Sequence, residues 1–151
     1  RLFGRGPYKD HLWFSLRHEN DAWPCRPEFY FEINPEGYAW GMGFWGATPQ
    51  VMERFRRLAA EDPAPFEKLV RTFNRQGDFT LQGEAYKRPK AAPSPLLTPW
   101  FSQKHIVLGR EVPHDDAILS RRVVDTLKEG YDFLEPYYRY LAALCPEEPA
   151  P

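Results

Sequence analysis

The sequence is short of the features that would assign it to several function classes. It holds only two cysteines, Cys25 and Cys145; they lie far apart and match no metal-ligand spacing, which argues against a zinc ribbon or a disulfide-stapled scaffold and predicts free thiols in a reducing compartment. No apolar run reaches the length of a membrane span, and no charged-then-apolar leader opens the chain, so a soluble, cytoplasmic protein is expected. Neither charge sign is in excess: 20 basic and 21 acidic residues leave a net charge of −1. A chain so balanced has no global field to gather nucleic acid or an anionic membrane, and neither is expected as a partner. There is no phosphate-cradling glycine loop with Lys and Ser/Thr, no HExxH, no paired CxxC and no GxSxG. The four histidines, His11, His18, His105 and His114, are scattered, so no metal site and no cofactor is expected.

What the chain does have is ring and proline. Aromatic residues make up 16% of the 151 residues and there are 16 prolines, the composition of a folded domain with heavy aromatic packing and many ordered interruptions. At this length roughly two-thirds of the unfolded surface is buried on folding, enough for one core without a staple. A single domain over residues 1–151 is expected.

Periodicity gives the elements. "HLWFSL" alternates Leu12, Phe14 and Leu16 with His11, Trp13 and Ser15 and predicts a strand with the first set inward. "FYFEINPEGYAWGMGFWG", residues 29 to 46, reads as a hairpin around "NPEG", with Gly41 and Gly43 on one face of its second strand. Glycine inside a strand is costly, so something is expected to lie close above these two. Asn34, Pro35 and Gly37 favour a type I turn closed by a glycine bulge, hence a three-residue loop that sets Phe31 opposite Gly41 and Phe29 opposite Gly43. A two-residue loop would slip the register by one and set Tyr30 opposite Gly41. The first is preferred, and it gathers Tyr38, Trp40, Met42 and Phe44 with Glu28, Tyr30 and Glu32 on one face.

Thr48 and Pro49 open a helix with the stripe Val51, Met52, Phe55, Leu58 and Ala59. Asp62 and Pro63 open a second with Phe66, Leu69, Val70 and Phe73, which Gly77 ends. "DFTLQGEAY" is a short strand, the proline-rich "KRPKAAPSPLLTPW" an extended connection, and "KHIVLGREV" a last strand with Ile106 and Leu108 on one face and His105, Val107 and Gly109 on the other. From Asp115 to Leu144 the period is helical, with a break expected near Glu135 because of Pro136. The order predicts an α+β fold: a mainly antiparallel sheet with a central hairpin, two mid-chain helices and a long C-terminal helix.

The best candidate for chemistry is a set of bases at strand ends: Lys9 and His11, with Tyr8 beside them, then Arg26, Lys87, Arg88 and Lys104. Converging there, they would hold a phosphate or carboxylate, Arg through its fork and Lys as a point charge. Bases also flank strands for solubility and edge protection, and Glu28, Glu32 and Glu84 are placed to pair with them. The leading expectation is a domain that binds an anionic small molecule beside the hairpin. The alternatives are a hydrolase or transferase with His11 as base and Tyr8 or Glu32 nearby, and a protein-interaction domain anchored by Trp or Tyr. Trp13, Trp23, Trp40, Trp45 and Trp100 are candidates for a stacking platform as well as for core packing. The sequence sets no oligomeric state.

In order, "PYKDH", "RPEFYFEINPEG", "GMGFW", a helix with "RFRRL", "GEAYKRPK" and the later Lys104 resemble the bacterial and fungal family catalogued as domain of unknown function 2461, from Pro7 to about Leu144. Met42 stands where the family has the middle glycine of a triplet, and Phe29 where it has Gly. The resemblance implies the same fold and the same basic residues, names no reaction, and implies that a helical segment usual ahead of the Tyr-Lys-x-His element is missing here.

Overall fold

The computed structural model describes residues 9–17 and 26–145. Tyr8, His18, Trp23 and Cys25 lie outside the described residues. Among the described residues five strands form one antiparallel sheet in the order β1-β2-β3-β5-β4: β1 Leu12–Leu16, β2 Glu28–Ile33, β3 Gly37–Gly43, β4 Thr80–Gln82 and β5 Val107–Pro113. The helices are α1 Pro49–Glu61, α2 Pro63–Phe73, α3 Thr98–Phe101 and α4 Arg122–Ala142. The α+β fold with a mainly antiparallel sheet is the one the sequence predicts, and the mid-chain helices begin where their prolines set them. Thr48 caps α1, its Oγ1 accepting from Val51 N at 3.3 Å.

One face of the sheet carries the core. Tyr38, Trp40, Met42 and Phe44 point there from β3 and its end, Ile106 and Leu108 from β5 and its approach, and all are buried against Met52, Phe55, Phe66 and Tyr137 of the helices or their neighbours. The rings of Phe29 and Tyr131 lie 5.1 Å apart, and the Tyr131 hydroxyl donates to the carbonyl of Tyr30 at 2.8 Å, which pins α4 across β2. At Gly130 the helix comes so close that a Cβ would stand 2.7 Å from Trp40 Nε1.

Three expectations are corrected. The hairpin takes the tighter register: Ile33 pairs with Tyr38, Phe31 with Trp40, Tyr30 with Gly41 and Glu28 with Gly43. The cause is Asn34, whose Oδ1 accepts from both Glu36 N at 2.9 Å and Gly37 N at 3.0 Å, closing a loop of only Pro35 and Glu36 and drawing Gly37 into β3. Positive φ occurs at Gly46 and Gly83 and not at Gly37, so no glycine bulge forms. Second, α4 runs unbroken through Pro136. Leu134 before the proline and Tyr137 and Leu141 after it are all buried, so packing holds the two halves in one helix despite the missing donor. Third, Leu12, Phe14 and Leu16 share the helix-side face with Ile33, Phe31 and Phe29, as their alternation predicts, but are not buried there: β1 is an edge strand among the described residues and all three are exposed, Phe14 stacking on Phe31 at 5.4 Å.

Candidate functional site

The corrected register decides what stands on the other face of the sheet. There β3 presents Gly37, Ala39, Gly41 and Gly43, so its middle strip carries nothing larger than a methyl group. β2 lines one side with Glu28, Tyr30 and Glu32, and β5 the other with Val107, Gly109 and Glu111. The result is a trough of about 1020 Å³, walled further by Trp13 and Arg17 from the β1 side, by Trp45, and by Gln82 and His105. All three glycines of the strip are demanded by the backbone itself: a Cβ on Gly37 would lie 2.1 Å from the carbonyl oxygen of Val112, one on Gly41 2.1 Å from that of Leu108, and one on Gly43 2.6 Å from that of Ile106. The atoms above them are therefore those of β5, drawn in against β3.

Tyr30 crosses this strip. It pairs with Gly41, and Gly41 with Gly109, and its hydroxyl reaches over Gly109 to Gln82 Oε1 at 3.5 Å. Gln82 Nε2 in turn donates to Glu111 at 3.3 Å. Burial, then the neighbouring charges of Glu111 and Glu32, push the Tyr30 phenol up to about 12. At neutral pH it is a proton donor held in place, and not a nucleophile. Arg17 pairs with Glu28 at 3.8 Å, while Glu32 has no ion-pair partner among the described residues. Trp13 and Trp45, both exposed, stack at 6.1 Å at the rim. Among the described residues one cation, Arg17, stands with several carboxylates, which gives the trough an acidic lining with aromatic walls.

The strand-end bases fall in separate places. Lys9 and His11 precede β1 at the end where Leu12 pairs with Ile33, and His11 Nδ1 lies 3.2 Å from Asp10. Arg26 precedes β2 and Lys104 precedes β5 at the opposite end, where Glu28, Gly43 and Val107 meet. The strands between these ends are about 15–20 Å long. Lys87 and Arg88 are exposed in the connection after β4. Tyr8, the remaining candidate, is outside the described residues. None of these bases lines the trough. Of the tryptophans, Trp40 and Trp100 are core, and Trp13 and Trp45 stand at the trough.

A second gathering of bases was not foreseen as a unit. The Tyr86 ring carries Lys90 Nζ at 4.8 Å, the Arg56 guanidinium at 5.5 Å and Lys104 Nζ at 5.9 Å from its centroid. Arg56, on the buried side of α1, is fixed by donating from Nε to Phe101 O and from Nη2 to Gln103 O, both at 2.8 Å, and from Nη1 to Glu53 at 2.7 Å. In the sequence it is one of three arginines in "RFRRL". Arg54 flanks Phe55 just as Arg56 does, so the sequence carries no local signal that sets it apart. Lys104 is ion-paired with Glu84.

Among the described residues no group of three or more His, Cys, Asp or Glu side chains is placed to hold a metal ion, and no helix is long and apolar enough to cross a membrane.

A five-stranded antiparallel sheet with helices on one face and an open, glycine-floored trough on the other defines an α+β domain with a ligand-sized concavity. Over residues 4–140 the chain matches the family described as "Conserved hypothetical protein (DUF2461)", and it belongs to that family. No curated protein and no solved structure matches it.

Proposed function

We propose that this domain binds a small organic molecule in the trough on the open face of its sheet. The observation that carries the reading is the convergence of Tyr30, Glu32, Gln82, Glu111 and His105 on a concavity floored by glycine and walled by Trp13 and Trp45. A space of this size, with apolar walls and a few fixed polar groups, is what small-molecule sites are made of. The lining asks for a ligand that brings hydrogen-bond donors, hydroxyls or an amine, to the carboxylates and lays a flat or apolar part against the indoles, where a cation gains further from the ring faces. A thermal-shift screen of amines, polyols and sugars, phosphates and carboxylates tests it, repeated on Glu32→Gln, Tyr30→Phe and Trp45→Ala. An amine or polyol that stabilises the parent and loses that effect in all three variants supports the trough. If no compound behaves so, the reading falls, and the exposed row of β1 becomes the surface to pursue as a protein-interaction site.

A second reading, an anionic small molecule held by strand-end bases, has one observation in its favour: Lys104 shares the ring of Tyr86 with Lys90 and Arg56. The same screen separates the two, because a phosphate or carboxylate that stabilises the parent and is indifferent to Glu32→Gln belongs elsewhere than the trough.

A further inference from the structure

We propose that the Tyr86 cluster is an oxyanion site, for a phosphate or carboxylate group, and that the side chain of Glu84 stands in it as an intramolecular competitor. The inference rests on the anion reading and gives it a place, new residues and a regulator.

The segment that carries the site is held still. Lys104 N donates to Glu84 O at 2.7 Å, Tyr86 N to Ser102 O at 2.8 Å, and Lys90 N to Ser102 Oγ at 3.1 Å. Residues 84 to 90 are thereby stitched to residues 102 to 104, and Pro89 removes further backbone freedom. Lys90 and Lys104 start from fixed backbone positions near one ring, so part of the cost of ordering long side chains around a ligand is already met. Arg56 adds a charge that does not move: it is 8% exposed, and its two buried bonds are to main-chain carbonyls.

The cluster is also under-neutralised. Arg56, Lys90 and Lys104 lie within 6 Å of the centroid of one ring, and like charges so close repel one another even where solvent screens them. A ring face returns only about 0.5–1 kcal/mol per exposed cation. Glu53 answers Arg56 and Glu84 answers Lys104. Lys90 has no carboxylate partner among the described residues, and neither have the adjacent Lys87 and Arg88. An oxyanion arriving beside Tyr86 relieves this repulsion and accepts from two ammonium groups at once.

Glu84 shows what chemistry the place accepts. Its carboxylate bonds Lys104 while remaining 67% exposed, and that bond, followed by the Lys104 charge, holds its proton affinity below the ordinary glutamate range. An ion pair made by so exposed a side chain is a weak competitor, easily displaced by a ligand that engages Lys90 as well.

The test is a titration with inorganic phosphate, and separately with acetate, at constant ionic strength, followed through the backbone amide resonances of Tyr86, Lys87 and Lys90 in the full chain. Saturable shifts at these amides are expected. Lys90→Ala should weaken binding, and Glu84→Gln should tighten it about two- to fivefold, the reach of one exposed ion pair. A response to phosphate alone assigns the site to phosphoryl groups, and an equal response to acetate assigns it to carboxylates; both support it. Saturable binding that Lys90→Ala abolishes and Glu84→Gln leaves unchanged overturns the competitor while leaving the anion reading standing. No saturable shift in either the parent or Glu84→Gln, or shifts centred on Lys9, His11 or Arg26 instead, overturns the site.

Discussion

The phenolic oxygen of Tyr30 occupies the space in which Gly109 would carry a side chain: a Cβ there would stand 2.5 Å from that oxygen and 2.2 Å from Gln82 Oε1. Both obstacles are the ends of side chains, whereas the obstacle at Gly41 is the main-chain carbonyl of Leu108 at 2.1 Å. The two glycines therefore differ in what they protect. Gly109→Ala should cost about 1 kcal/mol or less of stability, since alanine also restricts the unfolded chain, yet displace Tyr30 and weaken any ligand of the trough. Gly41→Ala has no such relief, and a loss of about 3 kcal/mol or more is expected. Urea unfolding of the two variants side by side checks the contrast; equal losses would mean that Tyr30 is as immovable as the backbone.

Asn34 sets the register of the hairpin, and the trough with it. Removing its side-chain carbonyl in Asn34→Ala orphans the N–H groups of Glu36 and Gly37, at a cost of about 1 kcal/mol. Asn34→Asp keeps an acceptor oxygen in the same place and should recover most of the loss. Paired denaturation midpoints for the two variants decide it, and an Asn34→Asp variant no better than Asn34→Ala would show that the loop is shaped by Pro35 instead.

That same residue marks the boundary of what could be read from the chain. α1 and α2 were legible because their signals are local: a cap, a proline at the first turn and a stripe of apolar residues three and four apart. The faces of "KHIVLGREV" were legible for a similar reason, with Ile106 and Leu108 buried and His105 and Val107 on the open side. The hairpin offered two loops differing by one residue, and one side-chain acceptor chose between them. A slip of one exchanges every face, so Glu28, Tyr30 and Glu32 moved from beside Tyr38 and Trp40 to stand over the glycines. Arg56 was hidden for a different reason. Its partners, Phe101 O and Gln103 O, lie more than forty residues away in sequence, and no local pattern separates a guanidinium that finishes a distant turn from its solvated neighbour Arg57.

Arg56 should accordingly matter to folding more than its charge suggests. Arg56→Met fills similar volume and leaves two buried carbonyls without their donors, which predicts a loss of about 2–4 kcal/mol. Arg56→Lys keeps the charge and lacks the fork that serves both carbonyls, so it should recover less than half of that. Equilibrium urea unfolding at neutral pH measures both. A Lys variant as stable as the parent would show that charge beside Tyr86, and not the two hydrogen bonds, is what the site requires of this residue.

The buried phenols predict how the protein meets alkali. Tyr30 and Tyr137 are each pushed up to about 12 from 10.0, Tyr137 by burial and Tyr30 by burial followed by Glu111 and Glu32, and burial raises Tyr131 as well. A folded-state value above the unfolded one means that the unfolded chain gives up these protons first as pH rises. Their contribution to stability is thus complete below pH 10 and drains away between about 10 and 12, because each phenol gains by ionising only once it is released to water. Unfolding free energy measured in steps across that window should fall steadily. Lysine deprotonation adds its own slope there, so the discriminating measurement is Tyr30→Phe: without that hydroxyl the decline should be shallower than in the parent. Parallel slopes would mean that Tyr30 ionises as readily in the fold as out of it, and the picture of a phenol held neutral over Gly109 by burial and its carboxylate neighbours would have to be given up.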